Sequence, residues 1–582
     1  MRRSTALWSV AVLAAVIAAI FGANGYQVYV LAMVALTAIV GVGLNVLLGL
    51  TGQISLGHVG FYAIGAYVMG ILSVRLEWSF WTGLVLAGLA AGVAGAGLAV
   101  PALRVRGPYL AMVTIAFGFV VEQGAAEWRA LTGGWNGLMG IPAPALLGYQ
   151  LDERGIAYLA LALCVVAVYL YSRLRDSPWG QAMRAIRDSE VAGQSIGLNP
   201  VVIRTVAFTL SAVLAGIAGA VFASLSTFIS PESFPFFQSI LFLLVVMIGG
   251  ADRVLGPVLG AIVVVLLPEL LSFLAGYRLL FVGALLLVVL WLAPDGIAGM
   301  AMRVLGRVDE GAPPVRRRDV ADILAAGRGS QGLAASALSI SFGGVQAVGD
   351  FSFEASPGQV TSIIGPNGAG KTTVLNLVCG FYKPDRGTVC LGDTDVAGRS
   401  SHVVARAGIA RTYQSTQLFD QMSVLENVVI ALRKGRLPAR ALFGSGGDRE
   451  AEEIAESLLA FVGYEAPIRR MAGALPHVDK RLVEIARALA MRPSVLLLDE
   501  PAAGLGDADT ARLGRLLRDI AERGIAVILV EHDMSLVMEV SDRVLVLDAG
   551  TMIAEGVPSA VRTDPAVLKA YLGEGEARGR GR

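Results

Sequence analysis

The sequence predicts a polytopic α-helical membrane domain of about ten spans, followed by a soluble α/β domain of the P-loop type. Residues 1–300 hold only 26 charged side chains, 14 of them arginine and none lysine, whereas the remaining 282 residues hold 67. A first half this apolar is typical of a membrane-embedded domain, and a second half this charged is typical of a soluble one. The glycine-rich motif GPNGAGKTT follows a β-branched stretch in the charged half.

Ten apolar runs are long enough, or nearly so, to cross a bilayer. They fall at about 6–22, 28–49, 57–74, 81–101, 108–124, 156–171, 203–225, 236–250, 256–275 and 279–293. The run at 236–250 is the shortest. The first run follows a basic start, Met-Arg-Arg, so a cleaved signal peptide is an alternative to a retained first helix.

The arginines between these runs predict the orientation of the membrane domain. With a cytosolic N-terminus, the loops on the cytosolic side carry Arg104, Arg106, Arg173, Arg175, Arg184, Arg187 and Arg253. The opposite loops carry only Arg75, Arg129, Arg154 and Arg278. This is the positive-inside pattern, and it places the charged second half in the cytosol.

Two polar stretches interrupt the apolar half. The first, at 43–67, places Thr51, Gly52, Gln53, Ser55 and His58 between two spans. Irregular backbone at membrane depth is tolerated where it lines a cavity or is buried in protein. The stretch therefore either borders a translocation path or is an ordinary turn between helices, and a lone histidine does not indicate a metal site.

The second polar stretch, at 177–200, is the longest loop on the cytosolic side. Ala182, Ala185, Ile186 and Val191 approximate one apolar face, which predicts a short amphipathic helix. Such a helix could dock into a groove on a cytosolic partner, or lie on the membrane surface with its arginines toward the lipid headgroups.

Composition sets the domain boundaries and excludes some functions. We expect a membrane domain at 1–300, a linker rich in Arg, Gly, Ala and Pro at 301–332, and a soluble domain at 333–582. The formal net charge of +1 argues against nucleic-acid binding. Cys164, Cys379 and Cys390 show no metal-ligand or disulfide spacing and are interpreted as packing residues.

The motif in the second half is a phosphate-binding loop in its strand–loop–helix context. The candidate ATP-binding residues are Gly365, Pro366, Asn367, Gly368, Ala369, Gly370, Lys371, Thr372 and Thr373. The glycines let successive backbone N–H groups and the helix N-terminus face an anion. Lys371 would reach the β- and γ-phosphates, and the Thr372 hydroxyl can ligate Mg²⁺.

Further residues are candidates for roles in nucleotide binding and hydrolysis. Asp499 ends an aliphatic run and would hold the Mg²⁺, and Glu500 beside it would polarise the attacking water. His532 ends another run and could contact the γ-phosphate. Gln414, in the stretch ARTYQSTQLF, could sense the Mg²⁺, the water and a docked membrane helix. Phe342 is a candidate adenine-stacking ring, with a core position as the alternative.

These motifs resemble ABC transporters, and in particular the importers of branched-chain amino acids. In the second half the resemblance lies in FGGVQAV, GPNGAGKTT, ARTYQSTQLF, EIARALA, LLLDEPAAGL and VEHDM. In the first half it lies in GLTGQISLGHVGFYAIGAY, RVRGPYLAMVTIAFG, LTGGWNGLMGIP, SPWGQAMRAIRDSEVAGQSIGLNP and VVMIGGADRVLGPVLGAIVVVLLPELL. The chain is therefore similar to a permease fused to its ATP-binding subunit.

The resemblance implies ATP-driven, Mg²⁺-dependent uptake across the inner membrane, with the ATPase domain in the cytosol. It implies that 180–197 is a coupling element, received by a groove near Gln414, with Gly180, Ala185, Asp188 and Gly197 as its candidate residues. It also implies a second permease subunit, a second ATPase subunit and an extracytoplasmic solute-binding protein as partners, beside the membrane lipid.

One motif departs from the family pattern. The ABC signature turn is typically Leu-Ser-Gly-Gly-Gln, and its amides face the γ-phosphate bound to the opposing subunit. The corresponding residues here are Leu475, Pro476, His477, Val478 and Asp479. Proline lacks a hydroxyl and an N–H, valine replaces the glycine that permits close approach, and aspartate adds negative charge. We therefore expect a heterodimer with an ATPase subunit whose signature is intact, unless a small backbone shift accommodates the valine.

Three alternative functions stay open from the sequence. The first is an importer of urea or short amides, because the permease motifs do not discriminate among these substrates and no substrate-contacting residue can be named. The second is an exporter half-transporter, although such proteins typically have six long spans. The third is a non-transporting regulatory ATPase, against which the retained Glu500 and the coupling-like loop argue.

Overall fold

The computed structural model describes most of the chain as two compact units. The described residues are 17–18, 20–102, 107–146, 148–270, 280, 283–284, 287–288, 291, 296–304, 318–325, 331–444 and 448–572. Unit 1 comprises residues 1–183 and 201–311, and unit 2 comprises residues 184–200 and 312–582. The loop segment 184–200 is thus inserted in the sequence of unit 1 but belongs to unit 2.

Unit 1 is helical. Its helices are α1 (Gly25–Asn45, continued by a π-helical turn Val46–Leu50), α2 (His58–Arg75), α3 (Phe80–Ala102), α4 (Pro108–Glu127), α5 (Arg129–Thr132), α6 (Glu153–Arg175), the start of α7 (Pro178–Asp188), α9 (Pro200–Ser226), α10 (Phe236–Gly249), α11 (Gly256–Leu270) and α12 (Gly296–Val304). Short strands β1 (Leu138–Met139) and β4 (Phe228–Ile229) pair, as do β2 (Ala145–Leu146) and β3 (Tyr149–Gln150).

The count of about ten spans is not confirmed. Eight of the ten predicted runs coincide with helices of unit 1. Among the described residues, however, six helical segments are long and apolar enough to cross a membrane: Gly25–Leu50, Phe80–Ala102, Tyr109–Glu127, Glu153–Arg175, Pro200–Ser226 and Pro231–Gly249. Helix α11 is shorter, with 15 residues, and α2 carries polar groups at both ends. Most of the run at 279–293 and most of the run at 6–22 lie outside the described residues.

Close backbone contact holds α2 against α9. A Cβ on Gly65 would lie 2.0 Å from the carbonyl oxygen of Gly216, and one on Gly219 would lie 1.9 Å from that of Tyr62. Only glycine permits helices to approach this closely, and small residues at such crossings are typical of helix packing in membranes. The glycines of both helices therefore fix this crossing.

The polar stretch at 43–67 is buried within unit 1. Thr51, Gln53, Ser55 and His58 are all buried, and Gly52 adopts a left-handed conformation with φ of 68°. The two ring nitrogens of His58 lie 2.9 Å from the Ser55 hydroxyl and 2.6 Å from the Ser211 hydroxyl. The backbone N–H of Gln53 donates a hydrogen bond of 3.0 Å to the carbonyl oxygen of Leu47, and that of Leu56 donates one of 3.0 Å to the Thr114 hydroxyl. Hydrogen bonds within the protein thus satisfy these groups of the irregular backbone. No cluster of metal-ligating side chains occurs among the described residues.

Unit 2 contains two sheets. The larger has the strand order β10 (Ile409–Arg411), β11 (Val495–Asp499), β12 (Ala526–Val530), β7 (Val360–Ile364), β13 (Arg543–Asp548) and β14 (Thr551–Gly556), with only β14 antiparallel to its neighbour. The smaller antiparallel sheet has the order β6 (Val345–Ala355), β5 (Leu333–Phe342), β8 (Arg386–Leu391) and β9 (Thr394–Asp395). All five residues of β7, β11 and β12 are buried, which explains their continuous aliphatic runs.

Helices cover these sheets and form a separate group beside them. They are the end of α7, α8 (Glu190–Ser195), α13 (Val320–Ala325), α14 (Lys371–Val378), α15 (Ser401–Ala407), α16 (Val424–Leu432), α17 (Arg449–Phe461), α18 (His477–Ala490), α19 (Asp507–Glu522), α20 (Met534–Val540), α21 (Pro558–Val561) and α22 (Pro565–Leu572). Helices α16 and α17 both pack on α18. The carboxyl ends of the parallel strands β7, β10, β11 and β12 meet at one edge, where ligands bind in open α/β sheets.

The described part of the linker is attached to unit 2. Arg318 forms ion pairs with Glu450 and Glu453 on α17, at 3.0 and 3.3 Å. Ile323 and Leu324 of α13 are buried, and α13 packs on α17. The segment at 318–325 therefore ends the linker with a short docked helix.

Candidate functional site

The glycine-rich loop begins where β7 ends and leads into α14. Gly365, Gly368 and Gly370 all have positive φ. A Cβ on Gly365 would lie 2.1 Å from the carbonyl oxygen of Leu547, and one on Gly370 would lie 2.5 Å from that of Ala347. The tight loop therefore depends on glycine at both positions. It presents backbone N–H groups and the start of α14 to an anion.

Lys371 is the first residue of α14 and is almost fully buried. Its ammonium group donates hydrogen bonds to the carbonyl oxygens of Gly365 and Pro366, at 2.8 and 3.0 Å. Burial lowers the pKa of Lys371, and the nearby carboxylates of Glu500 and Asp499 oppose that effect. The positive charge is thus held inside the loop, where a phosphate would lie.

Asp499 ends β11 next to this loop. Its Oδ2 accepts a hydrogen bond of 2.9 Å from Arg411, and both side chains are buried. Its Oδ1 is buried and has no hydrogen-bond partner in the structure. The unpartnered buried carboxylate oxygen of Asp499 and the exposed hydroxyl of Thr372 are oxygen donors of the kind that would suit Mg²⁺, since hard cations prefer oxygen ligands.

Three candidate catalytic side chains converge at one carboxylate. Gln414 donates a hydrogen bond of 2.8 Å to Glu500 Oε2, and His532 Nε2 lies 2.6 Å from Glu500 Oε1. Glu500 has a φ of 49°, which is unusual for a residue with a side chain. The structure therefore brings together Gln414, Glu500 and His532, which are far apart in the sequence.

Sequence reasoning missed the role of Glu531, which precedes His532. Its buried carboxylate accepts hydrogen bonds from the backbone N–H of Ala502, at 2.6 Å, and of His532, at 3.0 Å. Burial raises the pKa of Glu531, against the effect of these backbone donors. Glu531 thereby joins the turn after Glu500 to the residue that bears the imidazole. Its signal in the sequence is an acidic residue at the end of an aliphatic strand.

Phe342 does not take the core position that was its alternative. The ring is 45% exposed at the end of β5 and contacts Tyr382 edge to face, with the ring centroids 5.2 Å apart. Two exposed aromatic rings side by side offer a surface on which a planar base can stack.

The signature-like turn differs from expectation in the placement of Val478. Pro476 and His477 are exposed, whereas Val478 is partly buried in the first turn of α18. Val478 and Leu482 share one helix face, and they line a small recess with Leu505 and Leu513. The valine therefore packs toward α19 in its own unit. Its branched side chain is not the main obstacle at the exposed turn.

The segment 184–200 contacts the residues that follow Gln414. Ser189 donates a hydrogen bond of 2.9 Å to the Gln417 side chain, and the backbone N–H of Gln421 donates one of 2.9 Å to Asp188. Arg184 pairs with Glu426 at 3.1 Å. The carbonyl oxygen of Gly197 accepts a hydrogen bond of 2.8 Å from Arg406.

The single amphipathic helix predicted for this stretch is instead two helices. Ser189 adopts an extended conformation and caps α8, so the chain turns between α7 and α8. Ala182, Ala185 and Ile186 are buried as expected, but Val191 lies beyond the turn and is exposed. Of the other candidate coupling residues, Gly180 belongs to unit 1, where a Cβ would lie 2.2 Å from the carbonyl oxygen of Leu174.

Replacing Arg411 with methionine is expected to destabilise unit 2 by about 3–5 kcal/mol, because Asp499 would be left as an uncompensated buried carboxylate. Calorimetry of the full chain in detergent would measure this as a lower melting temperature. Arg399→Met, at an exposed position, is the matched control. Equal melting temperatures for the two variants would contradict the structural role of the ion pair.

Both halves of the chain match known protein families. Residues 26–290 match the family "Branched-chain amino acid transport system / permease component". Residues 348–503 match the family "ABC transporter", and residues 551–577 match the family "Branched-chain amino acid ATP-binding cassette transporter".

Individual relatives agree with these families. The chain is 41% identical over 250 residues to the high-affinity branched-chain amino acid transport ATP-binding protein BraF of Pseudomonas aeruginosa, covering 42% of this chain and 98% of BraF. It is 40% identical over 249 residues to the ATP-binding protein LivG of Escherichia coli, with the same coverage. It is 36% identical over 318 residues to the permease protein LivM of Salmonella typhimurium, covering 50% of this chain and 75% of LivM.

The resemblance seen in the motifs is therefore confirmed. A permease-type helical unit and an ATP-binding cassette, each similar to a separate subunit elsewhere, occur here in one polypeptide. The chain belongs to the ABC transporter family of branched-chain amino acid transport systems.

Proposed function

We propose that this chain is the fused permease and ATPase subunit of an importer that uses ATP hydrolysis to take up branched-chain or related small amino acids. The observation that carries the proposal is the meeting of Gln414 and His532 on the carboxylate of Glu500, in a chain that also holds a permease-type unit. A cassette with this geometry can hydrolyse ATP. Because the cassette and the permease unit belong to one chain, that hydrolysis can drive transport.

In the proposed mechanism, Lys371 and the N–H groups of the glycine-rich loop hold the phosphates of ATP. Glu500 orients and polarises the attacking water, while His532 and Gln414 hold the Glu500 carboxylate in place. Thr372, Gln414 and Asp499 would hold the Mg²⁺, which would supply positive charge to neutralise the phosphates. Phe342 would stack on the adenine.

We propose the membrane permease domain at 1–300, the linker at 301–332 and the ATP-binding domain at 333–582. The excess of arginine in alternate loops supports an inner-membrane location with the ATPase domain in the cytosol. The contacts of Asp188, Ser189 and Gly197 with the rest of unit 2 support 184–197 as the part of the coupling element that the cassette receives.

The complete transporter needs further subunits in this proposal. One permease unit and one cassette make half of a two-fold ABC assembly, so a second permease and a second ATPase complete it. A solute-binding protein outside the membrane would deliver the substrate. The exposed Pro476 and His477 favour a heterodimer, because they offer no serine hydroxyl and one N–H fewer to the nucleotide of the opposing subunit.

Uptake into proteoliposomes tests the proposed function. With the binding protein outside and ATP enclosed in the lumen, vesicles that contain the assembled complex should accumulate radiolabelled leucine, isoleucine or valine, and vesicles that enclose ADP should not. Urea and short amides are the competing substrates to include. Accumulation of urea alone would overturn the amino-acid assignment, and export in place of uptake would overturn the direction of transport.

Variants of the signature turn test which residue weakens it. Pro476→Ser restores an N–H and a hydroxyl at the exposed turn, and we expect it to raise ATP hydrolysis at the opposing site roughly 2- to 10-fold. Val478→Gly should not raise hydrolysis, and it should lower the melting temperature, because it removes apolar packing and adds a flexible residue to α18. A higher rate in Val478→Gly than in Pro476→Ser would contradict this interpretation.

A further inference from the structure

Helix α18 carries three buried charged residues that the proposed mechanism leaves unused. Arg481, Glu484 and Arg487 are all nearly inaccessible to solvent. Arg481 pairs with Glu484 at 3.0 Å, and Arg487 lies 3.8 Å from the other oxygen of the same carboxylate. Buried charges are costly unless they make specific contacts. Their other partners therefore indicate what the cluster does.

Arg481 joins the loop of Gln414 to the end of β11. Its guanidinium donates hydrogen bonds to the carbonyl oxygens of Tyr413, at 2.6 Å, and Gln414, at 2.9 Å, and a longer one of 3.4 Å to that of Glu500. The planar guanidinium can hold several acceptors in one fixed arrangement. Arg481 thus sets the spacing of the two backbones whose side chains meet at the catalytic carboxylate.

Glu484 extends this contact toward the segment 184–200. Its Oε1 accepts a hydrogen bond of 3.1 Å from the backbone N–H of Gln417, and the Gln417 side chain accepts the hydrogen bond of 2.9 Å from Ser189. An unbroken series of bonds therefore runs from Ser189 through Gln417, Glu484 and Arg481 to Gln414 and Glu500.

The same helix begins at the signature-like turn. His477 starts α18, and Arg481 lies about one turn further along it. In the proposed dimer this turn faces the nucleotide bound to the opposing subunit. A shift of α18 would therefore move the guanidinium that holds Gln414 and Glu500 in its own site.

We propose that Arg481 is a positioning residue that transmits the state of the coupling segment and of the opposing nucleotide site to Glu500. This inference rests on the proposed function, since it assumes a working dimer. Arg481 does not touch the nucleotide-binding loop in the structure, so its loss should affect turnover and regulation and not the affinity for ATP.

Arg481→Met tests the proposal in the assembled full-length complex. We expect kcat for ATP hydrolysis to fall about 10- to 100-fold, because small displacements of catalytic groups have effects of this size. KM for ATP should change less than about twofold, and stimulation by substrate-loaded binding protein should be lost.

Arg487→Met is the matched control. It removes an arginine of the same helix and equal burial, and each single variant leaves one arginine paired with Glu484. Arg487 lies over the ring of Phe419 and makes no hydrogen bond to Tyr413, Gln414 or Glu500 in the described structure. We expect a lower melting temperature with ATP hydrolysis within about twofold of the wild type. Equal losses of kcat in both variants would reduce Arg481 to a purely structural role and overturn the proposal.

A double-mutant cycle tests the link to the coupling segment. Gln417→Ala removes the acceptor of Ser189 but keeps the N–H bonded to Glu484. If both residues act in one series, Gln417→Ala should lower kcat in the wild-type background and cause no further fall in kcat in the Arg481→Met background. Additive losses would overturn this link. A wild-type complex that hydrolyses ATP without any uptake would instead refute the proposed function, and the kcat comparison would still test Arg481.

Discussion

Replacing Lys371 with alanine is expected to abolish ATP-driven uptake. The ammonium group is held within the glycine-rich loop by the carbonyl oxygens of Gly365 and Pro366. No other lysine or arginine makes a hydrogen bond to this loop in the part of the chain that the structure describes. A charge-assisted hydrogen bond contributes about 1.5–3 kcal/mol, so ATP affinity should fall roughly 10- to 150-fold.

Two measurements separate this effect from misfolding. Equilibrium binding of a fluorescent ATP analogue gives the affinity, and uptake into proteoliposomes gives the transport rate. Lys383→Ala, at an exposed position of the same unit, is the control and should match the wild type in both. Uphill transport by Lys371→Ala at the wild-type rate would remove the basis of the proposed function.

Replacing Glu500 with glutamine should leave ATP bound but reduce hydrolysis about 10²- to 10⁴-fold, the usual contribution of a positioned general base. The amide keeps the size of the carboxylate and can still contact Gln414 and His532, but it cannot accept a proton from water. The two variants therefore affect different steps. Lys371→Ala weakens ATP binding, whereas Glu500→Gln retains ATP binding and loses turnover. Steady-state ATPase assays together with nucleotide retention would measure both.

The same substitution tests the asymmetric dimer. Glu500→Gln in this chain disables the site that pairs with the partner's signature, so it should cost more activity than the equivalent change in the partner. Glu522→Gln on the exposed face of α19 is the control and should have no effect. Equal losses from the two catalytic substitutions would contradict the asymmetry.

Local sequence predicted the parts of the molecule whose chemistry is local. The glycine-rich loop needs positive φ at Gly365 and Gly370, and only glycine adopts it at low cost. The spans follow from continuous apolar runs, and the strands β7 and β11 follow from aliphatic runs buried on both faces. The count of about ten spans is not confirmed, because run length alone does not separate α2 and α11 from the six more apolar segments found among the described residues.

The partners of buried polar groups were not predictable, because they come from distant parts of the sequence. Arg411 and Asp499 are 88 residues apart, and Arg481 and Gln414 are 67 apart. Nothing in the residues around Arg481 distinguishes it from an ordinary helix arginine. Likewise, the spacing of Ala185, Ile186 and Val191 fits one helix, and only the cap at Ser189 reveals two.

By itself, the sequence determined the two-part architecture, the family and the identity of the residues around the nucleotide site, because apolar runs and glycine-rich turns act over a few residues. Only the tertiary structure decided which way Val478 faces, which carboxylate receives Gln414 and His532, and which unit contains 184–200. Those outcomes depend on packing between segments far apart in the chain. A buried charged or polar group can bond only to the groups that this packing brings next to it.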